Sequence, residues 1–117
     1  MKCGEKNKYS LIIPVHVGAA AKCAESAALL RGIICGSPGA DAIVVDNGSC
    51  EEWRVALKEI RAEIVCVPER ISYARACNLG ASRATSDVFC FLNSDVIIES
   101  SDWSASFLKA ISDPRVG

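Results

Sequence analysis

Four short apolar runs, separated by helix-like segments, constrain the fold of this chain more than any other feature. The runs cover residues 10–15, 42–45, 64–67 and 88–92. None of them alternates apolar and polar residues, so each is typical of a strand that is covered on both faces. The repeated order of strand and helix predicts a three-layer α/β/α fold around a mainly parallel sheet.

The segments between the runs carry apolar residues at helical spacing. On the first predicted helix these residues are Cys23, Ala27, Leu30 and Ile34, and on the second they are Trp53, Ala56, Leu57 and Ile60. Ser49 followed by Glu52 indicates a capping box at the start of the second helix. A third helix is predicted over residues 73–84 and a fourth over residues 103–112, with Asp102 as its cap and Phe107, Leu108 and Ile111 facing inward.

Composition excludes several classes of protein. A chain of 117 residues is one domain by length, and its formal net charge of -1 argues against non-specific binding to nucleic acid or to a membrane surface. The seven cysteines are odd in number and include no C-x-x-C pair, which disfavours a zinc finger or a disulfide scaffold. We therefore expect reduced cysteines and a cytoplasmic protein, with the inner face of the membrane as an alternative location.

Polar residues follow each apolar run, where the carboxyl ends of parallel strands meet at one edge of a sheet. Open α/β sheets usually bind their ligands at this edge. We therefore expect two acids, Asp46 and Asp95, to be close neighbours that flank one shared pocket. The four polar groups are Pro14-Val15-His16, Asp46-Asn47-Gly48-Ser49, Pro68-Glu69-Arg70 and Asn93-Ser94-Asp95.

Each polar group also has a simpler interpretation. Asp46 and Asn47 are typical turn formers, His16 is typical of a hydrogen-bonded rim residue, and isolated arginines are usually solvated. The acid at position 95 is harder to explain in this way, because apolar residues resume directly after it. The chain has neither a P-loop nor a dinucleotide fingerprint, so a bound nucleotide would need a divalent cation on Asp95 to neutralise its phosphates.

Four stretches in this order resemble the N-terminal half of an inverting family 2 glycosyltransferase of the GT-A type. They are LIIPVH, IVVDNGS, YARACNLGASRATSD and FCFLNSDV, and the resemblance extends from residue 10 to residue 117. It implies a Rossmann-like, nucleotide-binding half and identifies residues 1–117 as a single truncated donor-binding domain. Asn93-Ser94-Asp95 stands where the family has Asp-x-Asp, and the neutral Asn93 is expected to weaken ion binding.

The resemblance also implies roles for individual residues. Pro14, Val15 and His16 would form the slot for the nucleobase. Asp46 would hydrogen-bond the base or its ribose, beside Asn47 and Gly48. The region that approaches the ribose and phosphates would contain Arg70, Arg75 and Asn78. The motif Asn93-Ser94-Asp95 would face the diphosphate, with Asp95 and Asn93 holding Mg²⁺ or Mn²⁺.

The implied reaction is transfer of a sugar from a UDP- or dTDP-sugar to a glycan or lipid-linked acceptor, as in cell-surface polysaccharide synthesis. Family members are about twice as long as this chain, and their C-terminal half supplies the acceptor site and the catalytic base. We therefore expect no efficient transfer from these 117 residues alone.

Two alternatives to a glycosyltransferase are a non-catalytic nucleotide-binding module and a receiver-type signalling domain. An exposed fourth strand would also allow pairing with a second copy.

Overall fold

A computed structural model describes residues 9–100, 102–113 and 115. Within them, four strands form one parallel sheet in the order β3-β2-β1-β4. The strands are β1 (Tyr9–Val15), β2 (Ala40–Asn47), β3 (Glu63–Val67) and β4 (Phe89–Phe91). The helices are α1 (Cys23–Cys35), α2 (Glu51–Leu57), α3 (Tyr73–Ala81) and α4 (Trp103–Ile111), and a 3-10 turn over Ala20–Lys22 precedes α1. The predicted α/β fold is confirmed.

The central strand β1 divides the core into two layers. All seven of its residues are buried. In one layer Leu11, Ile13 and Val44 pack with residues of α1 and α2, including Leu30 and Trp53. The other layer lies under α3 and contains Ile12, Ile43, Val45, Val65, Val67 and Ala76. Both faces of β1 and β2 are therefore covered, which explains why the sequence of these strands is apolar without alternation.

The fourth strand departs from the prediction that each strand is covered on both faces. Phe89 and Phe91 are 43% and 45% exposed, and their rings meet edge to face with centroids 6.4 Å apart. The register pairs them with Ser10 and Ile12, so they face the α3 side of the sheet. Because α3 packs on β1 and β2, the aromatic side chains of β4 are left partly uncovered. β4 is an edge strand of the described sheet, and its pairing with a second copy stays a prediction.

Two helix starts differ from the sequence prediction. The predicted capping box at Ser49 is wrong: Cys50 is the N-cap of α2, without a side-chain capping bond. The Ser49 hydroxyl instead accepts a hydrogen bond from the Val17 N–H at 2.9 Å, across the gap between two loops. The cap of α3 was not predicted: Ser72 Oγ accepts from the Arg75 N–H at 3.2 Å. α3 also ends at Ala81, earlier than predicted.

The fourth helix is held to the core by aromatic residues. Trp103 donates its indole N–H to the Gly36 carbonyl at 3.0 Å, and the ring of Tyr9 meets the rings of Trp103 and Phe107 edge to face. Asp102 occupies the N-cap position of α4, as predicted, but its carboxylate accepts from Ser100 Oγ and makes no capping hydrogen bond. Ile111 was expected to face inward and is exposed. None of the described helices is long and apolar enough to cross a membrane.

We predict that Gly80→Ala destabilises the fold, because a Cβ at this position of α3 would lie 2.6 Å from Ile12 Cγ2 and 2.9 Å from Val45 Cγ2. Such overpacking of a core typically costs about 1–3 kcal/mol. The matched control is Gly32→Ala in α1, where a Cβ would have no neighbour within 4 Å. The control should be neutral or more stable by up to roughly 1 kcal/mol. Urea unfolding measures both, and equal stability of the two variants would contradict the close packing of α3 on the sheet.

Candidate functional site

The site is built around residues 46–50, which we call the β2 turn. Three hydrogen bonds join this turn to the loop after β1. His16 Nδ1 donates to the Asn47 carbonyl at 2.8 Å, Val17 N–H donates to Ser49 Oγ at 2.9 Å, and Cys50 N–H donates to the Val17 carbonyl at 2.9 Å. A carbonyl oxygen only accepts, so His16 carries a proton on Nδ1. In the neutral ring, Nε2 is then an acceptor.

The Asn47 side chain joins the β2 turn to the segment that follows β3. Its Nδ2 donates to the Ile71 carbonyl at 2.9 Å, and its Oδ1 accepts from the Ile71 N–H at 2.8 Å. Gly48 makes the close approach possible. Its φ is +64°, and a Cβ there would lie 2.6 Å from the backbone nitrogen of Arg70. The β2 turn therefore contacts the loops that follow both of its neighbouring strands.

These contacts border a half-open cavity of about 340 Å³ at the carboxyl ends of β1 and β2. Its volume is at the lower end of the range of about 300–1,000 Å³ typical of small-molecule sites. Eight residues line it: Pro14, Val15, His16, Asn47, Arg70, Ile71, Ser72 and Tyr73. The first five are among the predicted site residues. The last three were not among the predicted site residues, although Ser72 is recognisable from the sequence as the N-cap that starts α3.

Asp46 does not line this cavity, which corrects its predicted place beside the base. Its side chain is fully buried on the opposite side of the sheet from Asn47, because successive residues of a strand alternate between faces. Among the described residues, the nearest cation is Arg54, whose Nε lies 3.8 Å from Asp46 Oδ2. Within the described chain, neither carboxylate oxygen has a hydrogen-bond partner. Asp46 and Asp95 therefore do not flank one pocket, although Asp46 lies near the end of β2 and Asp95 follows β4 at the same edge.

Asn93, Ser94 and Asp95 lie after β4 at the same edge. Asn93 is connected to the cavity, since its Oδ1 accepts a hydrogen bond from the Tyr73 hydroxyl at 3.1 Å. Burial, and then contact with the Cys77 thiol, raise the pKa of Tyr73, so the hydroxyl stays protonated at neutral pH. Ser94 is half-buried in the turn. Asp95 is exposed, and its carboxylate has no protein partner in the part of the chain that the structure describes.

The donor set fits a divalent cation that is shared with a ligand. Among the described residues, no group of three or more His, Cys, Asp or Glu could hold a metal ion by itself. Mg²⁺, however, is usually held by one or two carboxylates together with the phosphates of its substrate. Asp95 offers one free carboxylate, and Asn93, two residues earlier, offers an amide oxygen that also accepts from the Tyr73 hydroxyl. These residues could hold an ion only together with a phosphate ligand.

Arg75 and Asn78 lie at a different place from the His16 cavity. Both are exposed on α3, where they line a shallow depression with Ile71, Leu79 and Ser82. Ile71 lines both cavities, so the two are adjacent. Of the predicted arginines, only Arg70 is brought to the first cavity. Gly48 is not a lining residue either, because the backbone of Arg70 covers it.

The sequence matches the Glycosyl transferase family 2 profile over residues 10–117. The chain belongs to glycosyl transferase family 2. Its membership confirms the predicted family and shows that the alternative of a receiver-type domain is wrong. No curated protein matches the sequence significantly.

The fold is similar to that of a solved structure, the mannosyltransferase PcManGT from Pyrobaculum calidifontis in complex with GDP-Man and Mn²⁺. The TM-score is 0.76 and the sequence identity is 22%. The match covers 97% of this chain and 35% of the mannosyltransferase. This family 2 chain therefore spans about a third of the length of the enzyme whose fold it shares.

We predict that Asn47→Asp destabilises this family 2 chain by roughly 1–3 kcal/mol, because a carboxylate cannot donate to the Ile71 carbonyl and is repelled by it. The penalty should decrease at low pH, where a protonated carboxyl can donate. Asn78→Asp, on the exposed face of α3, is the matched control and should change stability by less than about 0.5 kcal/mol. Urea unfolding at pH 7 and pH 4 tests this, and an equal effect at both positions would show that the Asn47 bonds contribute little.

Proposed function

We propose that this chain is the donor-binding part of an inverting glycosyltransferase that uses a nucleoside-diphosphate sugar. The observation that carries the proposal is the cavity at the carboxyl ends of β1 and β2, in a chain that belongs to glycosyl transferase family 2. Ligands of open α/β sheets bind at this edge. The mannosyltransferase of similar fold was solved with GDP-Man and Mn²⁺, which supports a nucleotide-sugar donor for this chain as well.

In this proposal the nucleotide base occupies the cavity. Pro14, Val15 and Ile71 supply apolar surface against the ring, while His16 Nε2 offers one acceptor. Arg70 supplies the cavity's positive charge and five donors, a geometry suited to phosphate oxygens. Asn47 holds the cavity-lining residue Ile71 in place and does not bind the base, because its amide oxygen and nitrogen are already bonded to the Ile71 backbone. The adjacent Arg75 and Asn78 would contact parts of the donor that extend beyond the cavity.

The diphosphate would extend from the cavity toward Asn93 and Asp95. Tyr73 lines the cavity and donates a hydrogen bond to Asn93, so it connects the cavity to the residues after β4. Asp95, with Asn93, would hold Mg²⁺ or Mn²⁺ together with the phosphates. A hard cation so placed stabilises the negative charge that develops on the nucleoside diphosphate as the sugar leaves. The buried Asp46 contacts Arg54 and takes no part in binding.

The rest of the reaction is assigned to residues beyond these 117. Inverting transfer needs a base to deprotonate the acceptor hydroxyl. Because the match covers only 35% of the mannosyltransferase, we place the base and the glycan or lipid-linked acceptor site elsewhere in the complete enzyme. A cytoplasmic location is part of the same proposal. The sequence resemblance favours UDP or dTDP as the nucleotide, whereas the enzyme of similar fold binds GDP-Man, so all three nucleotides enter the test.

Isothermal titration calorimetry with UDP, dTDP and GDP, each with and without Mn²⁺, tests the role of Asp95. One nucleotide should bind more tightly with Mn²⁺, and Asp95→Ala should remove this gain without unfolding the chain, because Asp95 is exposed. Asp87→Ala is the matched control, since Asp87 is an exposed acid just before β4, at the other edge of the sheet. A gain from Mn²⁺ that survives Asp95→Ala would refute the assignment of Asp95 as a metal ligand.

Arg70→Ala should weaken binding of the same nucleotide by roughly 10-fold or more, as expected for the loss of a charge-assisted contact of about 1.5–3 kcal/mol. Stability should be nearly unchanged, because the Arg70 side chain is exposed. Arg61→Ala removes an exposed arginine before β3, at the opposite edge of the sheet, and should bind normally. The same titrations measure both variants. Equal affinities for Arg70→Ala and Arg61→Ala would refute the assignment of Arg70 as a phosphate contact.

A further inference from the structure

Two cysteines lie at the starts of neighbouring helices. Cys23 is the first residue of α1, and Cys50 is the N-cap of α2. α1 and α2 pack against each other on the same layer of the core, and both thiols are half-buried against that layer. Both thiols are free. The fold thus brings together two cysteines that are far apart in the sequence.

The Cys50 thiol is close enough to the Cys23 thiol to affect its ionisation. Burial raises the pKa of the Cys23 thiol, the neighbouring Cys50 thiol raises it further, and the nearby carboxylate of Glu52 adds to the effect. The Cys23 thiol also lies 3.8 Å from the Ala19 carbonyl. Cys35, by comparison, is at the far end of α1, about 18 Å from Cys23 at the helical rise of 1.5 Å per residue. A folded chain can therefore bring Cys50, and not Cys35, to Cys23.

Cys23 ends a short segment, residues 17–23, that borders the proposed nucleotide cavity. Val17, at the start of this segment, is held to the β2 turn by its bonds to Ser49 and Cys50. Cys23, at its end, meets Cys50 again. Residues 17–23 are thus bonded to the β2 turn at Val17 and approach it again at Cys23, and His16, which lines the cavity, directly precedes them.

We propose that Cys23 and Cys50 form a redox-active pair that closes to an intramolecular disulfide and fastens residues 17–23 to the β2 turn. With oxidised glutathione as oxidant, one cysteine thiolate attacks a glutathione sulfur and displaces the first glutathione. The second cysteine thiolate then attacks the protein sulfur of the mixed disulfide and displaces the second glutathione. Two electrons pass from the protein to glutathione, and the two thiol protons are released to the two glutathione thiols. This modification site is independent of the proposed donor binding.

Tryptic mass spectrometry of the full chain after treatment with oxidised glutathione tests the proposal. Cys23 is the sole cysteine of the peptide CAESAALLR, whereas the peptide of residues 32–54 contains both Cys35 and Cys50. The expected product links these two peptides through Cys50, both in the unaltered chain and in Cys35→Ser. It should form faster at pH 9 than at pH 7, because the raised pKa keeps Cys23 protonated near neutrality.

Three results would overturn the proposal. They are a stable mixed disulfide of Cys23 with glutathione, a Cys23–Cys35 link in the folded chain, and a link that forms only in urea. Cys50→Ser should abolish the link, and Cys66→Ser, at an exposed cysteine of β3, is the matched control that should retain it.

A second readout tests the expected consequence for the fold. The oxidised chain should melt at a temperature higher by on the order of 5–10 °C, as a loop-closing disulfide would produce. Hydrogen exchange at residues 17–22 should slow by at least roughly 10-fold on oxidation and return to its original rate with dithiothreitol. Unchanged melting and exchange in a chain shown to carry the link would exclude the fastening of this segment.

Discussion

The paired hydrogen bonds between the Asn47 side chain and the backbone of Ile71 are the interaction on which the cavity depends. β3 is an edge strand of the described sheet, so the loop after it has a neighbouring strand end on one side only. The Asn47 amide satisfies both backbone groups of Ile71 and holds this loop over the end of β2. Gly48 permits the approach, because a side chain there would collide with the Arg70 backbone. Arg70 and Tyr73 reach the cavity as a consequence.

Two polar residues that are adjacent in the sequence, Asp46 and Asn47, face opposite sides of the sheet and therefore have different roles. Asn47 faces the cavity side of the sheet, and Asp46 faces α2, where Arg54 lies 3.8 Å from it. A buried carboxylate without a hydrogen bond is costly, and such groups depend on a nearby opposite charge. Asp46 therefore belongs to the packing of α2 against the sheet. In the proposed function, recognition of the donor is left to His16, Arg70 and the residues after β4.

The sequence predicts the layered fold well, because its signal is redundant. Each strand is an apolar run and each helix has a periodic apolar face, and both patterns recur along the chain. The covering of β4 could not be predicted in this way. An apolar run indicates burial, but it carries no information about which helix lies over which strand, and α3 packs on β1 and β2. Phe89 and Phe91 are exposed for that reason.

The site was predictable in outline and not in its internal contacts. Strand ends locate the edge, so Pro14, His16, Asn47 and Arg70 were correctly expected at one place. The side of the sheet that Asp46 faces was not predictable, because β2 is apolar on both faces and offers no alternation to read. The Ser49 pattern matched a capping box, yet a long-range bond to Val17 replaced the local one. Contacts between distant segments, such as Tyr73 with Asn93, leave no local pattern.

The central claim is that the cavity around Asn47 receives the donor nucleotide. Its most direct test is a titration of the nitrogen-15-labelled chain with UDP, dTDP or GDP in the presence of Mg²⁺, followed by nitrogen-15 correlation spectra. The account predicts that the largest amide shifts occur at His16, Asn47 and the segment from Arg70 to Tyr73, with smaller ones at Asn93 and Asp95. Saturable shifts confined to another surface, such as the groove beside Arg31 and Arg61, would contradict it.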